Sequence, residues 1–257
     1  MSMDKAAMSG GKGGAETADR LRERVLNANA VERMPPSRWP TRAALEGASC
    51  VLEPVDPDRH AAMLYEGSHG SPAIDALWTY MPYGPFANAG AFRVWLGDCA
   101  SGADPLFYTI VDRASGRFVG MASYLNIYPK NGSIEIGHIW FSPSVQRTRL
   151  TTESLYLMMR HAMDDLGYRR LEWKCNALNE PSRAAARRLG FRYEGIFYNH
   201  LVVKGRNRDT AWYSILDDEW PQVRATFERW LAPQNFDSRG QQIHALSALA
   251  AARSATH

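Results

Sequence analysis

The sequence predicts an α+β fold built on a mixed, mostly antiparallel sheet of six or seven strands. Three observations carry that prediction. Three β-rich segments follow one another with hairpin signals between them, a single stripe at helical spacing comes next, and alternating segments return near the end. The chain has 257 residues, 45% hydrophobic and 22% charged, enough to bury one substantial core.

Taken in order, SCVLEPV at 49–55 reads as a strand. DPDRHAAMLYEG at 56–67 then reads as a short helix, with Asp56 placed to cap it and Pro57 at its first position. An aromatic loop, WTYMPYGPF at 78–86, leads to a second helix marked by Phe92, Trp95, Leu96 and Cys99. PLFYTIVD, RFVGMASYLNIYP and SIEIGHIWF are joined by RASG and by Asn131-Gly132, a strong tight-turn signal, and predict an antiparallel meander. Leu155, Met158, Met159, Ala162, Met163 and Leu166 then recur at steps of three and four, a helix ending at Gly167. In RRLEWKC, Leu171, Trp173 and Cys175 alternate with Arg170, Glu172 and Lys174, as in a strand with one face to the core. PSRAAARRLG is a compact helix, and 191–205 with 209–216 form a closing hairpin.

The tails differ from this core. Residues 1–45 read as a flexible extension whose segment RLRERVLNANAVERM suits a short surface helix. Residues 46–232 form the domain, and 233–257 a C-terminal extension, helical or disordered. The formal charge of +3 lacks the single-sign runs of a nucleic-acid tail or a polybasic membrane anchor. No stretch approaches the roughly 18 apolar residues of a membrane span, and no apolar leader opens the chain. Cys50, Cys99 and Cys175 are odd in number and widely spaced, which suggests neither a disulfide framework nor a metal site and fits a cytoplasmic protein.

Four local features in this order carry a family resemblance: EIGHIWFSP at 135–143, QRTRLTTESL at 146–155, ALNEPSRAAARRLGFRYEG at 177–195 and GRNRDTAWYSIL at 205–216. They resemble the GNAT superfamily of N-acetyltransferases, in particular its RimJ/RimL type, over about residues 49–220. The resemblance implies helices on both faces of the sheet and a V-shaped opening in it. It also implies acetyl-CoA, or another acyl-CoA, as acyl donor and a primary amine as acceptor. That amine is a protein N-terminus, an amino acid or another small amine, taken up by a monomer or homodimer that needs neither nucleic acid nor membrane.

The same resemblance assigns residues. Cofactor contacts fall on Phe141, Val145, Gln146, Arg147, Thr148, Arg149, Leu150, Thr151 and Thr152, with Asn179 and Ser182 across the opening. The usual pyrophosphate loop has glycine or alanine where this chain has Arg149 and Thr151; guanidinium forks at Arg147 and Arg149 and the threonine hydroxyls would offset the loss of close backbone approach. These residues would equally make a solvated basic helix start.

Attack on a thioester needs a neutral amine, so a base or a water relay must first take a proton. Glu135 and His200 compete for that role, with Glu135 preferred; the carboxylate would otherwise pair with a neighbouring arginine. Ser182 would donate to the departing thiolate or cap its helix. Asp209 is expected to brace the last hairpin through Arg206 or Arg208. Strict alternation puts Glu135, Gly137, Ile139 and Phe141 on one face and His138 and Trp140 on the other, so Glu135 and His138 share a cleft only if a bulge intervenes. On the acceptor side, Trp78, Tyr80, Tyr83, Phe86 and His138 would line the amine site through ring faces, or the aromatics would form a small core anchoring the loop. A basic face of Arg160, Arg169, Arg170, Lys174, Arg187 and Arg188 is the ground for a nucleic-acid-binding alternative, and a catalytically silent acyl-CoA-binding module is the other.

Overall fold

A computed structural model describes residues 37–254, and the expected surface helix in RLRERVLNANAVERM lies outside them. Eight strands form one sheet in the order β1-β2-β3-β4-β5-β6-β8-β7. They are β1 (Leu45–Glu46), β2 (Cys50–Pro54), β3 (Leu106–Asp112), β4 (Phe118–Tyr128), β5 (Ser133–Phe141), β6 (Arg170–Asn176), β7 (Arg192–Val203) and β8 (Arg206–Leu216). The strand beyond the expected seven is the two-residue β1, too short to leave a periodic signal. Every neighbouring pair is antiparallel except β5 and β6, which run parallel because the long helix between them returns the chain to the same end of the sheet.

Helices cover the two faces unequally. On one face lie α1 (Pro57–Ser68), a short α2 (Pro72–Asp75) and α3 (Ala89–Ser101). Leu64, Trp78, Phe92 and Leu96 pack there against Phe107, Met121 and Trp140 of β3, β4 and β5. As expected, Asp56 caps α1 by accepting from the backbone N–H groups of Asp58 and Arg59. On the other face, α4 (Arg149–Arg160), α5 (Glu180–Arg188) and α6 (Trp220–Leu231) bury the main core. Tyr156 of α4 stacks on Trp220 and Phe227 of α6, so α4 is enclosed on both sides and residues 150–159 are all buried. This helix begins at Arg149, three residues later than Gln146, because Pro143–Val145 forms a separate 3-10 turn.

Residues 233–250, expected as a segment leaving the domain, pack back onto α6. Trp230 Nε1 donates to Gln242 Oε1 (2.8 Å), Asn235 Nδ2 donates to the carbonyls of Trp230 and His244, and Leu246, which opens α7 (Leu246–Ser254), is buried.

Candidate active site

The parallel join between β5 and β6 is short. Ser133, Ile134 and Glu135 pair with Arg170, Leu171 and Glu172, and no ladder pairs follow. Beyond Glu135 the strands diverge, leaving backbone groups on both lips free for a guest.

At the same place β5 carries a bulge. Ser123 of β4 faces Gly137 and Met121 faces Trp140, so two residues of β5 fit where one belongs, and His138 takes a φ of 53°. Alternation is thereby reset. Ile139 and Phe141 join Ile134 and Ile136 on the α4 side, while Trp140 and His138 turn to the α1–α3 side with Glu135. This corrects the strict alternation read from the sequence: the bulge brings Glu135 and His138 to one face.

Glu135 is 5% exposed. Its Oε2 lies 2.9 Å from Lys174 Nζ and accepts from Asn126 Nδ2 at 2.6 Å. Lys174 also pairs with Glu172 at 2.8 Å and sits 4.1 Å from the Trp212 ring centroid. The expected arginine partner is therefore a lysine. Burial raises the Glu135 pKa against the opposing pull of Lys174. Both contacts fall on Oε2; a Cβ at Gly137 would lie 3.5 Å from Oε1, so glycine leaves room in front of the second oxygen. His138 is held neutral, its pKa lowered to about 4 by burial and then by the charge of Arg208. Its Nδ1 lies 2.8 Å from Tyr83 Oη. Burial pushes the Tyr83 phenol well above its ordinary value, so a neutral phenol faces a neutral imidazole.

His200, on the exposed edge strand β7, places Nδ1 3.0 Å from Thr210 Oγ1 and packs on Trp212. The two candidate bases thus share a sheet face, one on each side of the Trp212–Lys174 pair. Ser182 accepts from Trp173 Nε1 at 3.0 Å, on the α4 side. Asn179 caps α5, its Oδ1 accepting from Ser182 N at 3.2 Å. Asp209 holds Asn199 N and Asn207 Nδ2 rather than Arg206 or Arg208.

At the start of α4 the expectations need more revision. Arg149 turns away: it donates to the Leu231 carbonyl at 2.7 Å and lies over Phe236, pinned by the segment that packs onto α6. Thr148 and Thr151 hydroxyls bond back to the carbonyls of Val145 and Thr148, and Phe141, Val145 and Leu150 pack into the main core. Gln146 Nε2 donates to the Phe141 carbonyl. What remains for an anion is the uncapped first turn of α4, entered through Arg147 in left-handed conformation (φ 62°) with its side chain exposed. Arg188 of α5 adds to it, donating to Thr152 Oγ1 at 3.2 Å; burial lowers its pKa, and among the described residues no carboxylate answers it. These donors fit a pyrophosphate. In the sequence Arg188 counts only toward the basic face of the nucleic-acid-binding alternative; the nearby LGF segment is the local signal that bears on its position.

The aromatic loop divides in two. Trp78 is fully buried, ringed by His69, Phe86, Phe92, Trp95 and Trp140, and donates Nε1 to the Ser68 carbonyl. Trp78 is a core residue and presents no ring to an amine, while Phe86 is partly buried against it. Tyr80 and Tyr83 reach the opening, Tyr80 Oη donating to the Leu178 carbonyl at 3.1 Å and Tyr83 Oη sharing a hydrogen bond with His138 Nδ1. Lys204, at the β7–β8 turn and unremarked in the sequence, donates to the carbonyls of Trp78 (2.9 Å) and Gly84 (2.5 Å). The loop is thereby tied to three elements around the opening.

The cations of the supposed basic face are dispersed. Arg170 pairs with Glu172 and Glu194, Lys174 with Glu135 and Glu172, and Arg187 with Glu180.

A sheet splayed after a bulged strand, with an uncapped helix N-terminus beside it, is the arrangement that the family resemblance implies for an acyl-CoA-dependent transferase, and comparison with known proteins agrees. Residues 50–192, more than half of the chain, match the acetyltransferase (GNAT) domain family. The chain belongs to the GNAT acetyltransferase family, whose members acetylate amines with acetyl-CoA. A GCN5-related N-acetyltransferase from Brucella melitensis is 44% identical in sequence, with a TM-score of 0.81 over 83% of this chain and 96% of that one. A probable GNAT-family acetyltransferase from Chromobacterium violaceum is 41% identical, with a TM-score of 0.68 over 73% and 92%. The "Putative ribosomal N-acetyltransferase YdaF" of Bacillus subtilis (strain 168) is 31% identical over 105 residues, 41% of this chain and 57% of that protein.

Proposed function

We propose that this chain transfers an acetyl group from acetyl-CoA to a primary amine held on the Glu135 side of the β5–β6 opening, with Glu135 as the base. The observation that carries this reading is the bulge, which puts Glu135 and His138 on one face where the strands part. Acetyl-CoA supplies the activated acetyl thioester. The α4 N-terminus, Arg147 and Arg188 would hold its phosphates. Glu135 removes the amine proton through Oε1, with Oε2 fixed by Lys174 and Asn126. Backbone N–H groups along the open lip of β5 stabilise negative charge on the reacting carbonyl. Ser182 lies across the opening, where its hydroxyl would serve the departing thiolate. Among the described residues no helix is long and apolar enough to cross a membrane, and we place the protein in the cytoplasm, where its three unpaired cysteines would stay reduced.

A thiol-release screen of acetyl-CoA against an amine library tests the reading. Amine-dependent release of CoA is the expected result. Calorimetric binding of acetyl-CoA with no release for any amine would instead define a silent acyl-CoA-binding module.

A further inference from the structure

The polar face of β6, β8 and β7 lies outside the cover of α1 and α3, and its half-buried cations other than Arg208 are matched by carboxylates. Arg170 is answered by Glu172 and Glu194, and Lys174 by Glu135 and Glu172. Among the described residues Arg208 forms no ion pair, and its buried Nε has no partner there. It stands opposite Leu201 on β8, and alternation puts it on the face of Thr210 and Trp212, the residues that hold His200 and underlie Lys174. A second orphaned donor, the buried Trp212 Nε1, belongs to the same face. The Arg208 charge acts on His138 and Glu135 on one lip of the opening and on Cys175 on the other. A half-buried guanidinium without a counter-charge is costly unless something else supplies the anion.

The geometry points to Arg208 as the anchor for a carboxylate on the acceptor, which makes the preferred substrate an amine bearing a carboxylate close by, a free amino acid or a close analogue. This rests on the reading of the cleft as the acceptor site. The acceptor's amine faces Glu135 while its carboxylate spans to the guanidinium fork, a planar bidentate donor matched to two oxygens. A peptide N-terminus offers an amide there and would leave Arg208 unpaired, unless its first side chain is acidic.

The test compares kcat/KM for the α-amino acids, their α-carboxamides, and short peptides beginning with Asp, Glu or Ala, in wild type, Arg208→Gln and Arg208→Lys. The wild type is expected to favour at least one amino acid over its carboxamide. Arg208→Gln should remove that preference, with a loss of about 10- to 100-fold for the acid, the scale of a charge-assisted hydrogen bond. It should leave the amide rate and the KM for acetyl-CoA unchanged. Arg208→Lys, which keeps the charge without the fork and guards against a folding defect, should recover part of the loss. Equal losses for acid and amide, a raised KM for acetyl-CoA, or a preference for peptides beginning with Ala would overturn the assignment while leaving acetyl transfer standing. If no amine is turned over, calorimetric titration of the same amino acids into the CoA-saturated protein decides separately. Binding abolished by Arg208→Gln supports the anchor, and no binding to wild type refutes it.

Discussion

At the scale of single residues, Glu135 and His200 show how differently two similar candidates are situated. Glu135 is enclosed, with one oxygen fixed and the other left space by Gly137; His200 lies on an edge strand with its Nδ1 committed to Thr210. Glu135→Gln retains the shape and the bond from Asn126, and Glu172 continues to neutralise Lys174, so the fold should survive. Turnover should fall about 10²- to 10⁴-fold with acetyl-CoA affinity intact, and His200→Asn should cost far less. Steady-state kinetics with calorimetry checks both; full activity in the glutamine variant would transfer deprotonation to water or to His200. Sequence inspection could find Glu135 because the motif around it is local. Arg208 was legible only as a brace for Asp209, since whether an arginine is answered depends on residues far away in sequence.

At the scale of elements, the acceptor loop is held less by its aromatics than by what reaches it from outside. Trp78 anchors it to the core, and Gly84 adopts a φ of +60° where a Cβ would lie 2.7 Å from Trp78 Cε3. Across the opening, Lys204 satisfies two loop carbonyls. Lys204→Met keeps the aliphatic stem and removes the donor, leaving those carbonyls to water. KM for the amine should rise about tenfold, the scale of one such bond, with KM for acetyl-CoA unchanged; a rise confined to acetyl-CoA would show that the hairpin serves the cofactor instead. The start of α4 teaches a related lesson. Two arginines two residues apart looked equivalent, yet Arg149 is claimed by Leu231 and Phe236 and only Arg147 remains exposed. The competitors came from the end of α6, 82 residues on, and from the segment that follows it.

For the whole molecule, His138 and Glu194 each contribute to the pH dependence of stability, in different windows. The His138 pKa is lowered from 6.5 to about 4, so the fold favours the neutral ring; this contribution is complete above 6.5 and is lost as pH falls toward 4. The Glu194 pKa is lowered from 4.5 to about 2 by Arg170 and then Ser214, so its contribution holds above 4.5 and is lost as pH falls toward 2. Melting temperatures across pH should show His138→Gln flattening the slope in the upper window and Glu194→Gln in the lower; an unaltered slope in either window would remove that group from the account. Strands, helices and their order could be read in advance, since side-chain periods of two and 3.6 and the turn residues act over a few positions. The local motifs likewise led to the family and to Glu135. The three-residue parallel join, the bulge that reset one strand's faces, the fate of Arg149 and the unanswered Arg208 could not be read that way. Each depends on which distant groups compete for the same space or charge, and that competition is decided only when the sheet closes around its core.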